Sequence, residues 1–142
     1  MKALISKTFF DPWQVVEAYQ ESIGKSGQYG GTAVFVGTMR DFNEGEEVKG
    51  MELEYYPGMT EKYLEEISAQ VEDKWPILDS LIVHRVGKIL PDEPIVVVAV
   101  WSAHRAEAFD ACRFLIDELK SKAPFWKKET LQSGSKWVEH NT

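Results

Sequence analysis

At 142 residues, 44% of them hydrophobic, the chain has the length and apolar content for one packed domain, and residues 1–142 are read as that single domain. A formal net charge of −7 excludes the broad basic face of a nucleic-acid binder, and no run of 18 apolar residues is present to cross a membrane. Cys112 has no partner for an internal disulfide, so a reducing cytoplasm is the expected setting, and Met1 to Lys7 holds no apolar run of leader length.

Residues 3–9 read as a short strand. A helix follows, with Asp11 as its cap, Pro12 in the first turn and Gln14 placed to complete a capping box. Trp13, Val16, Tyr19 or Gln20, and Ile23 recur at helical spacing, and Gly24 ends the run. Gly24-Lys25-Ser26 resembles the end of a phosphate loop, but that motif needs a glycine where Tyr19 stands, so an ordinary helix-ending loop is the better reading.

Thr32 to Arg40 is a mostly apolar strand with both faces buried, and 41–47 is a polar, mobile loop. Residues 48–56 alternate, with Met51, Leu53 and Tyr55 on one face and Glu52, Glu54 and Tyr56 on the other. They form a half-buried strand expected to pair antiparallel with the strand before it. Pro57-Gly58 opens a helix with Met59, Tyr63, Ile67 and Val71 on its apolar side and a solvated acidic face; Trp75-Pro76 closes it. Residues 81–89 read as a strand, and Ile95 to Trp101 as a buried central one. The next helix opens at His104-Arg105, carries Ala108, Cys112, Leu115, Ile116 and Leu119 inward, and closes on Lys120 before Pro124. The last residues, 134–142, are a short mixed tail. A single α+β domain accounts for this order.

The candidate chemistry lies in cations. Residues 1–100 carry a net −8, whereas residues 101–142 carry +1. Three scattered histidines and one cysteine give no metal-ligand spacing, and Cys112 falls on the apolar side of its helix, so neither a metal nor a catalytic thiol is expected. Lys120 at a helix end has a plain alternative: a lysine answering the helix dipole, with Asp117 as partner. Lys127 follows Phe125 and Trp126, a setting that can desolvate an ammonium. Two lysines on either side of a proline turn can converge on one anion, whereas Lys122 and Lys128 are expected in water. His104 and Arg105 open a helix after a buried strand, where anions bind, and Arg40 joins them if the two strand ends are neighbours. A small anionic substrate fits this set.

Several spaced motifs then resemble one family. Phe35-Val-Gly-Thr-Met-Arg40, Leu53-Glu-Tyr-Tyr-Pro-Gly-Met-Thr60, His84-Arg-Val-Gly87, Ser102-Ala-His-Arg105 and Pro124-Phe-Trp-Lys-Lys-Glu129 are similar, in order, to the catalytic (large) subunit of molybdopterin synthase. The resemblance implies an α/β-hammerhead fold, with a mixed, mainly antiparallel sheet and about three helices. It implies transfer of sulfur from the C-terminal thiocarboxylate of a small ubiquitin-like carrier, ending in Gly-Gly, to cyclic pyranopterin monophosphate, giving the molybdopterin dithiolene. By the same resemblance Lys120 is the main catalytic residue and Lys127 assists. Phe35, Arg40, His104 and Arg105 bind substrate, no cofactor is needed, and the large subunit is a homodimer within a heterotetramer. Where family members carry a further C-terminal arginine this chain has Asn141 after His140. The competing reading is a non-catalytic α+β module that holds a phosphorylated metabolite.

Overall fold

The computed structural model describes residues 1–43, 45–131 and 134–138; His140 and Asn141 lie outside the described residues. It belongs to the α+β class, with three helices and two sheets among those residues.

Strand β7 (Pro94–Ser102) is the centre of the first sheet, buried from Val96 to Ser102. Strand residues alternate between faces, so β7 supplies two cores at once. Val96, Val98 and Val100 join the layer formed by α2 (Met59–Lys74) and α3 (Arg105–Ser121), while Val97, Ala99 and Trp101 join that of α1 (Pro12–Ile23). Strand β5 (Ile77–Arg85) pairs antiparallel with one edge of β7 and β2 (Gly31–Thr38) with the other; β1 (Lys2–Ser6) lies parallel on β5. Each fully buried Val, Leu or Ile here contributes about 1.5–3 kcal/mol. Trp101 is wholly buried, yet its indole N–H still donates to Gln20 Oε1 at 3.0 Å, so no polar atom of it is stranded.

Helix α1 takes its expected cap and stop, but Trp13, the first residue of its apolar spacing, is 63% exposed. Asp11 Oδ1 accepts from the amides of Trp13 (3.0 Å) and Gln14 (3.3 Å), and Gly24 is the C-cap. In α2 the buried line is Thr60, Leu64, Ile67, Ser68 and Val71; Met59, expected inside, is 57% exposed in the first turn. The buried Thr60 hydroxyl donates to the carbonyl of Pro124 at 3.0 Å, which ties α2 to the link between α3 and β8.

The second sheet runs β3 (Phe42–Asn43), β4 (Glu46–Tyr55), β8 (Phe125–Leu131), β9 (Gly134–Val138), with β6 (Gly87–Ile89) also on β4. Met39, Val48, Met51, Leu53, Ile89 and Leu131 form its core, and Ile95 and Phe125 touch this core and that of α2 and α3 alike. These two side chains mark the seam between the sheets.

Expectations for several strands change. The loop expected at 41–47 contains a short hairpin, Phe42 opposite Glu47 and Asn43 opposite Glu46; Glu44 lies outside the described residues. Strand β4 does alternate as expected, but it does not pair with β2. Met39 is bonded both ways to the turn before β7, its amide to Glu93 O (3.0 Å) and its carbonyl to Asp92 N (2.9 Å), so the chain leaves the first sheet before β4 begins. The strand expected at 81–89 starts earlier, at Ile77, and breaks between Arg85 and Gly87. Finally, the segment after Pro124 and the start of the tail are strands β8 and β9, paired from Lys127 opposite Val138 to Leu131 opposite Gly134.

Candidate functional site

The seam opens as a cleft lined by Phe35 and Thr38 of β2, Leu53 of β4, His84 of β5, Ile95 and Val96 of β7, Ile116 and Lys120 of α3, and Phe125 and Lys127 of β8. Its walls are apolar and its polar groups few, the usual make-up of a small-molecule site.

Lys120 reaches it from the last turn of α3, with Nζ 5.5 Å from the centre of the Phe35 ring, within cation–π range. Asp117 does not take this ammonium as an ion-pair partner: both its oxygens accept from Arg113 Nε at 3.1 Å. Lys127 comes from β8, whose inward row is Phe125, Lys127, Glu129 and Leu131, with Trp126, Lys128 and Thr130 outward. Burial lowers the pKa of both lysines. For Lys120 the Arg40 guanidinium adds to the lowering and Asp117 opposes it. For Lys127 the buried Glu129 carboxylate opposes it, while Lys120 and Arg40 add to it. The mutual repulsion places the three cations in one field, as the sequence suggested for the lysines. Lys122 and Lys128 are exposed, as expected.

His104 and Arg105 stand elsewhere. Residue Gly31 of β2 is opposite Ser102 of β7, and Thr38 is opposite Pro94, so His104 and Arg105 follow one end of this pair while Arg40 follows the other. Gly30 makes the first end close-packed: a Cβ there would run into the carbonyl oxygen of Ala103. Along α3 the distance from His104 to Lys120 is about 24 Å at 1.5 Å per residue. Within one chain Arg40 therefore does not meet His104 and Arg105, and the cations at the two ends of α3 do not share a site. Both residues are exposed, and His104 makes no side-chain cap bond.

Two further groups were not singled out from sequence. Glu129 is the anion beside Lys127. His84 is buried on the cleft wall, with its ring stacked on Phe125 at a centroid distance of 4.0 Å. Cys112 is buried on the inner side of α3, as expected, and burial raises its thiol pKa to about 11. Such a thiol is not a nucleophile. Among the described residues no group of three or more His, Cys, Asp or Glu could hold a metal ion, and no helix is long and apolar enough to cross a membrane.

This arrangement can hold an anion and stabilise negative charge that develops on a bound carbonyl. A family model described as MoaE protein matches residues 7–122. The molybdopterin synthase catalytic subunit of Pseudomonas aeruginosa is 49% identical over 140 residues, covering 98% of this chain and 91% of that protein. Among solved structures, the molybdopterin biosynthesis MoaE protein of Burkholderia ambifaria superposes with a TM-score of 0.81 at 45% identity, over 100% of this chain and 92% of the other. Molybdopterin synthase of Staphylococcus aureus superposes with a TM-score of 0.85 at 34% identity, over 96% of each.

Proposed function

The chain belongs to the MoaE protein family, and on that premise we propose that it is the catalytic subunit of a molybdopterin synthase. In this reading it transfers sulfur from the C-terminal thiocarboxylate of a small ubiquitin-like carrier to cyclic pyranopterin monophosphate, and forms the dithiolene of molybdopterin. The observation that carries the reading is the convergence of Lys120 and Lys127 in one apolar cleft, each with its pKa lowered by burial.

Lys120 acts at the carrier's C-terminal carbonyl. It either bonds transiently to that carbon or stabilises the charge there as sulfur departs. A lowered pKa favours the first role by raising the amine fraction, and an apolar wall strengthens the second. Lys127 orients the pterin and neutralises developing charge, and Phe35 lines the wall over which the Lys120 ammonium sits. Arg40 holds the phosphate end.

His104 and Arg105 serve the same substrate only if another copy brings them, since in one chain they stand at the far end of α3. We therefore assign them to the site of a partner protomer, which makes the functional unit a homodimer with one carrier at each end, a heterotetramer, working in the cytoplasm. The test is a reconstituted assay with thiocarboxylated carrier and cyclic pyranopterin monophosphate. Dithiolene product is expected; carrier binding with no product would favour the metabolite-binding module instead. Mixing Lys120→Ala with Arg105→Ala chains tests the shared site, because each mixed dimer then holds one intact constellation and recovers turnover. No recovery on mixing would overturn the shared site and take His104 and Arg105 out of it.

A further inference from the structure

His84 is a buried titratable side chain of the cleft to which the chemistry above gives no role. It lies near the end of β5, on the same face as Ile82, toward α2 and α3. The ring is stacked on Phe125 with an interplanar angle of 17°, and Nδ1 is 2.9 Å from the carbonyl oxygen of Arg85. A carbonyl can only accept, so Nδ1 carries the hydrogen and Nε2 keeps its lone pair. Burial lowers the pKa to about 4, the Arg85 carbonyl opposes this, and the Lys127 charge adds to it, so the ring is neutral at pH 7.

The other polar groups facing this space make that lone pair distinctive. Lys120 from α3, Lys127 from β8 and Arg40 beyond β2 are donors only, and Thr38 is a hydroxyl. Glu129, on β8, is the carboxylate that acts on Lys127. Phe125 and Lys127 are successive members of the inward row of β8, about 7 Å apart along the strand. The His84 ring and Lys127 line the same cleft, and the Lys127 charge acts on the ring.

We propose that His84 is a positioning residue: its neutral Nε2 is an acceptor toward which the Lys127 ammonium turns, and it fixes where that cation points in the cleft. The inference rests on the reading of Lys127 as a residue that acts on substrate. A lysine has a flexible four-carbon stem, and a misplacement of about 1 Å at a reacting centre can cost roughly 100-fold in rate. An acceptor for the ammonium also favours its charged form, against the burial that disfavours it. A protonated imidazole in the same place would do the reverse, which gives the burial of His84 a purpose.

Two substitutions separate the nitrogens. His84→Asn keeps a donor near Nδ1 for the Arg85 carbonyl and leaves nothing at Nε2, whereas His84→Gln carries an amide oxygen to the Nε2 position. The pKa of Lys127 is read by NMR of the isotopically labelled lysine in the free protein, and the alkaline limb of kcat is read in the reconstituted assay. In His84→Asn both are expected to move down by about one unit, the size of one charge-assisted hydrogen bond, with the carrier still bound; His84→Gln restores both. A Lys127 pKa and an alkaline limb unmoved in His84→Asn would overturn the proposal, even if turnover fell. So would equal shifts in both variants. Absence of product from the unsubstituted protein would instead overturn the functional reading, and the NMR shift would still judge the contact.

Discussion

Strands β7 and β8 obey the same alternation and do opposite work. Both inner rows of β7 are apolar, Val96, Val98 and Val100 against one layer and Val97, Ala99 and Trp101 against the other. The inward row of β8 reads Phe125, Lys127, Glu129, Leu131, so two charges sit where hydrophobic side chains would pack best. Burying a charge is costly, and a strand that keeps two of them inside gives up stability that β7 retains. The first sheet is thus the support, and the inward face of β8 brings charged groups to the cleft.

The largest effect expected on the support side is that of Trp101→Ala, which should cost about 3–5 kcal/mol in urea unfolding, the range for emptying a buried aromatic site. A loss below about 1 kcal/mol would contradict the central role given to β7. On β8 the contrast should invert. Replacing both charges, Lys127→Met together with Glu129→Leu, is expected to keep or raise the unfolding midpoint while turnover falls by roughly 100- to 1000-fold, the scale of removing one charge-stabilising group.

The acid limb of stability comes next. With the folded pKa of His84 near 4 and an ordinary value near 6.5, the unfolded chain binds a proton that the native chain refuses between those values. Stability therefore falls as pH drops from about 6.5 to about 4, by up to about 3 kcal/mol from this group alone, and no further below. Denaturant titrations across that window should be flatter for His84→Phe than for the natural chain. The smallest effect belongs to the surface of α3, far from either row: Arg113→Ala removes an exposed i,i+4 pair with Asp117 and should change stability by no more than about 0.5 kcal/mol.

The same contrast governs what could be read from the sequence. The apolar run of β7 and the alternation of β4 were legible, as were the Asp11 cap and Gly24 stop of α1, because each is a local pattern. Strands β8 and β9 were not, since Lys127 and Glu129 interrupt the inward row that would have announced a strand. The charges that make the site erase its signature. That Lys120 and Lys127 share a cleft followed from the short turn between them at Pro124. That Arg40 joins them while His104 and Arg105 stand apart follows from the register of β2 on β7, a non-local fact that no window of sequence contains. His84 was hidden for a different reason: one polar residue near the end of a buried strand carries no periodicity, and only its stacking on Phe125, 41 positions later in the chain, shows where it faces.

The central claim is that the cleft at the seam, lined by Lys120, is the catalytic site. Turnover of Lys120→Ala in the reconstituted system, measured beside its unfolding midpoint and its affinity for the carrier, tests this most directly. The account predicts product formation lowered at least 100-fold, with stability and carrier binding unchanged. Near-normal turnover by that variant would contradict it.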